Sequence, residues 1–106
     1  MKKEERISKL LEMKVLNPND PFPTYALALE YMNADSLDDA LRYLLEVKIN
    51  SPDYLPCYYQ LGTLYEKMLK PVDAVNTYRE GISVAEIQRD AKTLNELQQA
   101  LLVLED

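Results

Sequence analysis

Histidine and tryptophan are absent from the 106 residues, glycine occurs twice, and cysteine and phenylalanine occur once each. Each absence excludes something. Without His the chain lacks the commonest general base and metal ligand, and no Ser–His or Cys–His nucleophile pair can be assembled. Two glycines, Gly62 and Gly81, are too few for a glycine-rich phosphate loop. The lone Cys57 has no second Cys for an internal disulfide and no Cys or His with which to hold zinc. It reads as a small packed residue in a reducing compartment. No apolar run approaches the length of a bilayer span, and Glu4, Glu5 and Arg6 interrupt any leader-like apolar core near the start, so a cytoplasmic location is the simplest expectation. Neither an enzyme nor a metal or cofactor protein is expected.

Positive charge is also scarce. Twelve Lys and Arg stand against eighteen Asp and Glu, a formal net charge of -6. That balance argues against non-specific attachment to nucleic acid or to an anionic membrane surface. The basic residues near the start, Lys2, Lys3, Arg6, Lys9 and Lys14, are interleaved with Glu4, Glu5 and Glu12 and read as a solvated helix face. Asp35, Asp38 and Asp39 form the densest carboxylate group. They fall at an expected helix start, where the macrodipole favours negative charge, and they lack the spacing of a calcium loop.

Internal repetition is what the sequence does have. A shift of 34 residues places Tyr25 on Tyr59, Leu27 on Leu61, Tyr31 on Tyr65, Asp39 on Asp73, Ala40 on Ala74, Glu46 on Glu80 and Pro18 on Pro52. Ala28 falls on Gly62 under the same shift. Within each copy the apolar residues follow a helical period: Leu27, Ala28 and Tyr31, then Ala40, Leu41, Leu44 and Val47. Asn17-Pro18 and Ser51-Pro52-Asp53 close helices, and Pro21, Pro23 and Pro71 suit helix starts. Ser36 with Asp39 reads as a capping box, and Asp90 as an N-cap. The spacing predicts six helices over 3–16, 22–33, 37–49, 54–68, 71–88 and 91–105. The polar Gln88-Arg89-Asp90 step favours a break over one long final helix.

These residues resemble the tetratricopeptide repeat, a helix-turn-helix unit of about 34 residues with a W-x2-L-G-x2-Y stretch and later small, aromatic and Pro positions. Tyr58-x2-Leu61-Gly62-x2-Tyr65 matches that stretch with Tyr for Trp, followed by Ala74, Tyr78 and Gly81. In the first copy Leu27-Ala28-x2-Tyr31, Ala40, Leu44 and Pro52 match, whereas Thr24 and Val47 depart from the usual Trp or Tyr and Ala. The resemblance implies an all-α fold, a short α-solenoid of antiparallel helix pairs. As one domain, 1–106 would comprise an N-terminal helix (1–17), two repeats (21–54 and 55–88) and a C-terminal capping helix (89–106). Small residues at 28, 40, 62 and 74 would let paired helices approach, and Tyr31, Tyr65 and Tyr78 would fill the wedge between pairs.

In this family the first helix of each pair lines a concave groove. By resemblance, the groove-facing positions are Phe22, Tyr25, Leu29, Met32 and Asn33 in the first copy, and Pro56, Tyr59, Thr63, Glu66 and Lys67 in the second. Relatives that clamp a C-terminal carboxylate use Lys, Arg and Asn where this chain has Tyr25, Leu29 and Gln60, with Asp90 and Lys92 nearby, so that clamp is not expected. The expectation is a protein-interaction module that takes a helical or extended segment of a partner protein or peptide through an apolar, Tyr-rich surface. The alternative is a homodimer through the same stripe. The first and last helices folding over the stripe would bury it, and Leu94, Leu97, Leu101 and Leu104 would either cap the fold or pack across a two-fold axis.

Overall fold

The computed structural model describes residues 2–105, all of the regular structure among them being helical. These residues divide into two compact units, one ending at Tyr54 and the other beginning at Leu55. The first unit holds α1 (Lys3–Leu16), α2 (Pro21–Asn33) and α3 (Leu37–Asn50); the second holds α4 (Pro56–Lys67), α5 (Pro71–Gln88) and α6 (Ala91–Glu105). The expected break between 71–88 and 91–105 is present. Among the described residues no helix is long and apolar enough to cross a membrane.

Local chemistry sets the helix starts. Pro21, Pro56 and Pro71 occupy the first helical positions, where a missing N–H costs nothing and the ring already holds a helical φ. Asp20 caps α2, its carboxylate accepting from the Phe22 N–H at 3.0 Å, and the Asp90 carboxylate does the same for the Thr93 N–H of α6 at 3.0 Å. The capping box expected at Ser36 is not formed. The Ser36 hydroxyl donates to the Asp39 carboxylate at 2.9 Å, and the Ser36 N–H is already given to the Tyr31 carbonyl at 2.9 Å. The end of α2 therefore consumes the donor that a capping box would use.

The two helix hairpins turn in the same way. After α2 the chain passes through a left-handed residue, Asp35 at φ 61°; after α4 it does so at Leu69, φ 60°. The Tyr31 carbonyl accepts from Ser36 N–H, and the Tyr65 carbonyl accepts from Lys70 N–H, both at 2.9 Å. Such six-to-one closures satisfy carbonyls that the helix end would leave orphaned. Tyr31 and Tyr65 thus occupy equivalent backbone sites one repeat apart, and both rings are half-buried. A third closure, Asp90 N–H to the Ala85 carbonyl with Arg89 at φ 58°, ends α5.

In the first unit α2 packs on α3 and α1 packs on α2. Leu27, Ala28 and Met32 of α2 are buried, as are Ala40, Tyr43, Leu44 and Val47 of α3. Tyr31 stacks on Tyr43 with ring centroids 5.6 Å apart, and the Arg42 guanidinium lies 4.5 Å from the Tyr43 centroid. By contrast, α1 buries no residue. It is joined through half-buried Ile7 and Leu10, an Arg6–Glu30 ion pair to α2 and a Lys14–Glu46 pair to α3 at 2.9 Å.

In the second unit α5 packs between α4 and α6. Both glycines are contact points rather than turns. A Cβ on Gly62 would fall 2.6 Å from Cζ of Tyr78, and one on Gly81 would fall 2.6 Å from Cβ of Tyr58 and 3.1 Å from Leu97. Leu97 is fully buried, and Leu94, Leu101 and Leu104 pack beside it against the core of Leu55, Tyr58, Ala74, Tyr78 and Ala85. The leucine stripe of the last helix is therefore spent within its own unit. Burying Leu97 alone contributes roughly 1.5–3 kcal/mol.

Candidate partner-binding site

On α2 the side chains divide by direction. Pro23, Thr24, Leu27, Ala28 and Met32 are buried, Tyr25 and Leu29 are half-buried, and Phe22 and Asn33 are exposed. Of the five positions expected to face outward, Met32 belongs to the interior at 8% exposure. The stripe is exposed at its N-terminal end, where Phe22 keeps 48% of its surface. Ala26, half-buried, continues the open row from Phe22 to Leu29 and Asn33 at helical spacing. Tyr25 lies edge-on to Tyr54, with ring centroids 5.3 Å apart. Neither Phe22 nor Asn33 is covered by α1, which engages α2 at Glu30 through Arg6.

On α4 all five expected positions keep surface: Pro56, Tyr59 and Lys67 are exposed, and Thr63 and Glu66 are half-buried. Three of them converge on a residue of the other helix. The Tyr78 hydroxyl donates to a Glu66 carboxylate oxygen at 2.5 Å and stands 3.3 Å from Thr63 Oγ1, and the Tyr59 ring is tilted against the Tyr78 ring at 6.2 Å. The cause is Gly62. With no Cβ there, the Tyr78 ring crosses the backbone of α4 and delivers its hydroxyl between Thr63 and Glu66. Burial, reinforced by the Glu66 carboxylate, holds the Tyr78 phenol well above its ordinary titration range, so at neutral pH it is a donor. Sequence reasoning assigned Tyr78 to wedge filling and missed this reach; the signal available was Gly62 opposite an aromatic.

The two units therefore differ in chemistry at matching positions. Where the second has Thr63, Glu66 and Tyr78, the first has Leu29, Met32 and Leu44. Two clefts lie nearby. One of 440 Å³ in the first unit is lined by Pro18, Asn19, Asp20, Pro21, Thr24, Glu46, Val47, Asn50 and Ser51. Another, of 390 Å³, in the second unit is bounded by Glu66, Leu69, Pro71 and Leu104. Among the described residues no three His, Cys, Asp or Glu side chains come together in a way that would hold a metal ion. Asp39, from the acidic group at 35–39, is held below its ordinary range by the Ser36 hydroxyl and then by Arg42.

No protein-family model and no curated protein matches the chain. Solved structures do. A solution structure of a tetratricopeptide repeat domain protein from Salinibacter ruber is 44% identical, covering 83% of this chain and 89% of that one, with a TM-score of 0.79. The chain belongs to the tetratricopeptide repeat family. A crystal structure of a Salinibacter ruber domain protein of this type agrees, at 44% identity over 81% of this chain and 97% of that one, with a TM-score of 0.78. A protein from Bordetella parapertussis, 21% identical over 93% of this chain and 86% of its own, shares the fold at a TM-score of 0.80. As a tetratricopeptide repeat protein the chain has an all-α helical-repeat fold of the kind that mediates contacts between proteins. The small-residue positions Ala28, Ala40, Gly62 and Ala74 are all buried.

Proposed function

We propose that this chain is a protein-interaction module that engages a helical or extended segment of a partner protein or peptide. The contact face in the first unit is Phe22, Tyr25 and Leu29 with Asn33 at its edge; in the second it is Pro56, Tyr59, Thr63, Glu66 and Lys67. The observation that carries this reading is the half-exposed Phe22 at the head of a row with Tyr25 and Leu29, on a helix whose opposite side is already spent on the core. Burying such a row against a partner removes apolar surface from water, and aromatic residues in that position carry much of the energy of protein interfaces. The role is binding rather than catalysis, and the buried Cys57 thiol, outside any disulfide, suits a reducing cytoplasm.

The test is recovery of partners from native extract by immobilised protein carrying Tyr25→Ala and Leu29→Ala. Recovery of a specific partner is expected to fall at least about tenfold, as loss of two interface anchors worth more than about 1 kcal/mol each would give. Equal recovery from variant and parent removes the assignment. Light scattering across concentrations separates the homodimer. A mass that doubles with concentration in the parent but not in the variant gives the face to a second copy instead.

A further inference from the structure

Resting on the interaction role just proposed, we infer that the second unit selects a basic side chain, a lysine or arginine of the partner segment, in the cleft bounded by Glu66, Leu69, Pro71 and Leu104. The cleft has one charged wall and three apolar ones. One oxygen of Glu66 accepts from the Tyr78 hydroxyl at 2.5 Å. A carboxylate has about four acceptor sites, so capacity remains for an incoming donor. Among the described residues no lysine or arginine pairs with Glu66, and Arg79, on the far side of Pro71 and Leu104, is engaged by Glu105 at 2.9 Å. Tyr78 is 1% exposed, so the carboxylate is steered by a fixed donor. An acceptor aimed in advance loses little freedom when a cation arrives.

The walls fit the rest of such a side chain. Lysine and arginine carry a methylene stem that packs on apolar surface while the charged head seeks a polar partner. Leu69 is the telling wall. It holds a left-handed backbone at φ 60°, which L-residues with a branched side chain disfavour, and its side chain is 86% exposed. The backbone conformation belongs to the closure of α4, but the exposed leucine side chain it carries adds nothing to the packing of the second unit. A leucine at that site does serve as a hydrophobic lip beside a carboxylate. An acidic side chain would be repelled here, and an aliphatic one would desolvate Glu66 and give it no partner.

The experiment is an amide NMR titration of the whole chain with the blocked tripeptide Ala-Lys-Ala and its norleucine and glutamate counterparts. The lysine peptide is expected to produce saturable shifts at Glu66, Leu69 and Leu104, with the other two at least about tenfold weaker, the difference a charge-assisted hydrogen bond makes. Glu66→Gln keeps an acceptor for Tyr78, so its fold is retained, and it should weaken the lysine peptide by about tenfold. Glu96→Gln removes the same charge from an exposed site on α6 and should change nothing. Equal binding of the norleucine peptide, equal loss in Glu96→Gln, shifts away from the cleft, or no binding at all each overturns the inference. If partner recovery falls with Tyr25→Ala and Leu29→Ala while the peptides do not distinguish Glu66→Gln, the cleft assignment fails and the interaction role stands. A lysine peptide bound at Glu66 with partner recovery untouched by those two substitutions gives the reverse.

Discussion

Gly62 and Tyr78 are a matched pair, and at the positions one repeat earlier the first unit has Ala28 and Leu44, both fully buried. Adding a Cβ at Gly62 drives it into a ring whose hydroxyl is tied to Glu66, so the ring has little room to retreat. Gly62→Ala is expected to cost about 1–3 kcal/mol, read as a drop in denaturation midpoint. Tyr78→Leu on its own forfeits ring contacts and a hydrogen bond. Combining the two installs the Ala and Leu of the first unit, and the double variant should be more stable than the sum of the singles by about 1 kcal/mol. Additive losses in urea titrations would mean that the ring moves aside freely and that Gly62 is not there to admit it. A second residue carries the opposite sign. Leu69→Gly relieves the left-handed backbone and should raise stability by up to about 1 kcal/mol, because glycine adopts that conformation without a steric cost. If Leu69 is the lip of a lysine cleft, the same change weakens the lysine peptide. Unchanged stability would show that the turn, not the residue, sets the strain.

The helices themselves were legible because prolines and periodicity speak about backbone. Pro21, Pro56 and Pro71 mark starts, and the spacing of Leu27, Ala28 and Tyr31 marks a buried side. The ends were less legible, since Asp35, Leu69 and Arg89 close helices where glycine is the usual signal. Their sites follow from the six-to-one bonds, and those depend on where the next helix packs. For the candidate site, angular position was readable and depth was not. Met32 lies close in angle to Tyr25, yet it is buried where Tyr25 is half-buried, and no count of residues along α2 reports that difference in depth. The reach of Tyr78 into the α4 face is likewise a property of two helices. At this scale α1 is the vulnerable element, because it buries no residue and is tied by charge. Hydrogen bonding from Arg6 lowers the Glu30 pKa below the ordinary carboxylate range. A depressed carboxylate contributes stability that is present above its unfolded pKa and lost as pH falls through the folded one. Acidification below the ordinary Glu pKa of about 4.3 should therefore loosen α1 before the rest of its unit, with no loss above that value. Hydrogen exchange across 3–16 checks this, and Glu30→Gln should abolish the early step. Uniform loss of protection across the first unit would show that α1 is held by its apolar contacts instead.

For the whole molecule the telling property is that its two candidate faces answer to different forces. The Phe22, Tyr25 and Leu29 face is apolar, and hydrophobic contacts are little weakened by moderate salt. The Glu66 face is a charge at the edge of an apolar cleft, on a chain whose net charge is -6. Attraction of a basic partner to that charge is screened over about 8 Å at physiological ionic strength and over about 3 Å at 1 M salt. A single partner using both faces should then show two separable responses. The cost of Tyr25→Ala with Leu29→Ala should stay the same fold-change from low to high salt. The cost of Glu66→Gln should be largest at low salt and shrink toward nothing as salt rises, because the parent loses the same interaction to screening. Affinity measured by calorimetry at several salt concentrations, for the parent and both variants, resolves the two. A salt-independent penalty for Glu66→Gln would mean that Glu66 acts by shape and by its bond to Tyr78. A salt-dependent penalty at Tyr25 and Leu29 would mean that the first face also works through charge, against the absence of any charged side chain among Phe22, Tyr25, Leu29 and Asn33.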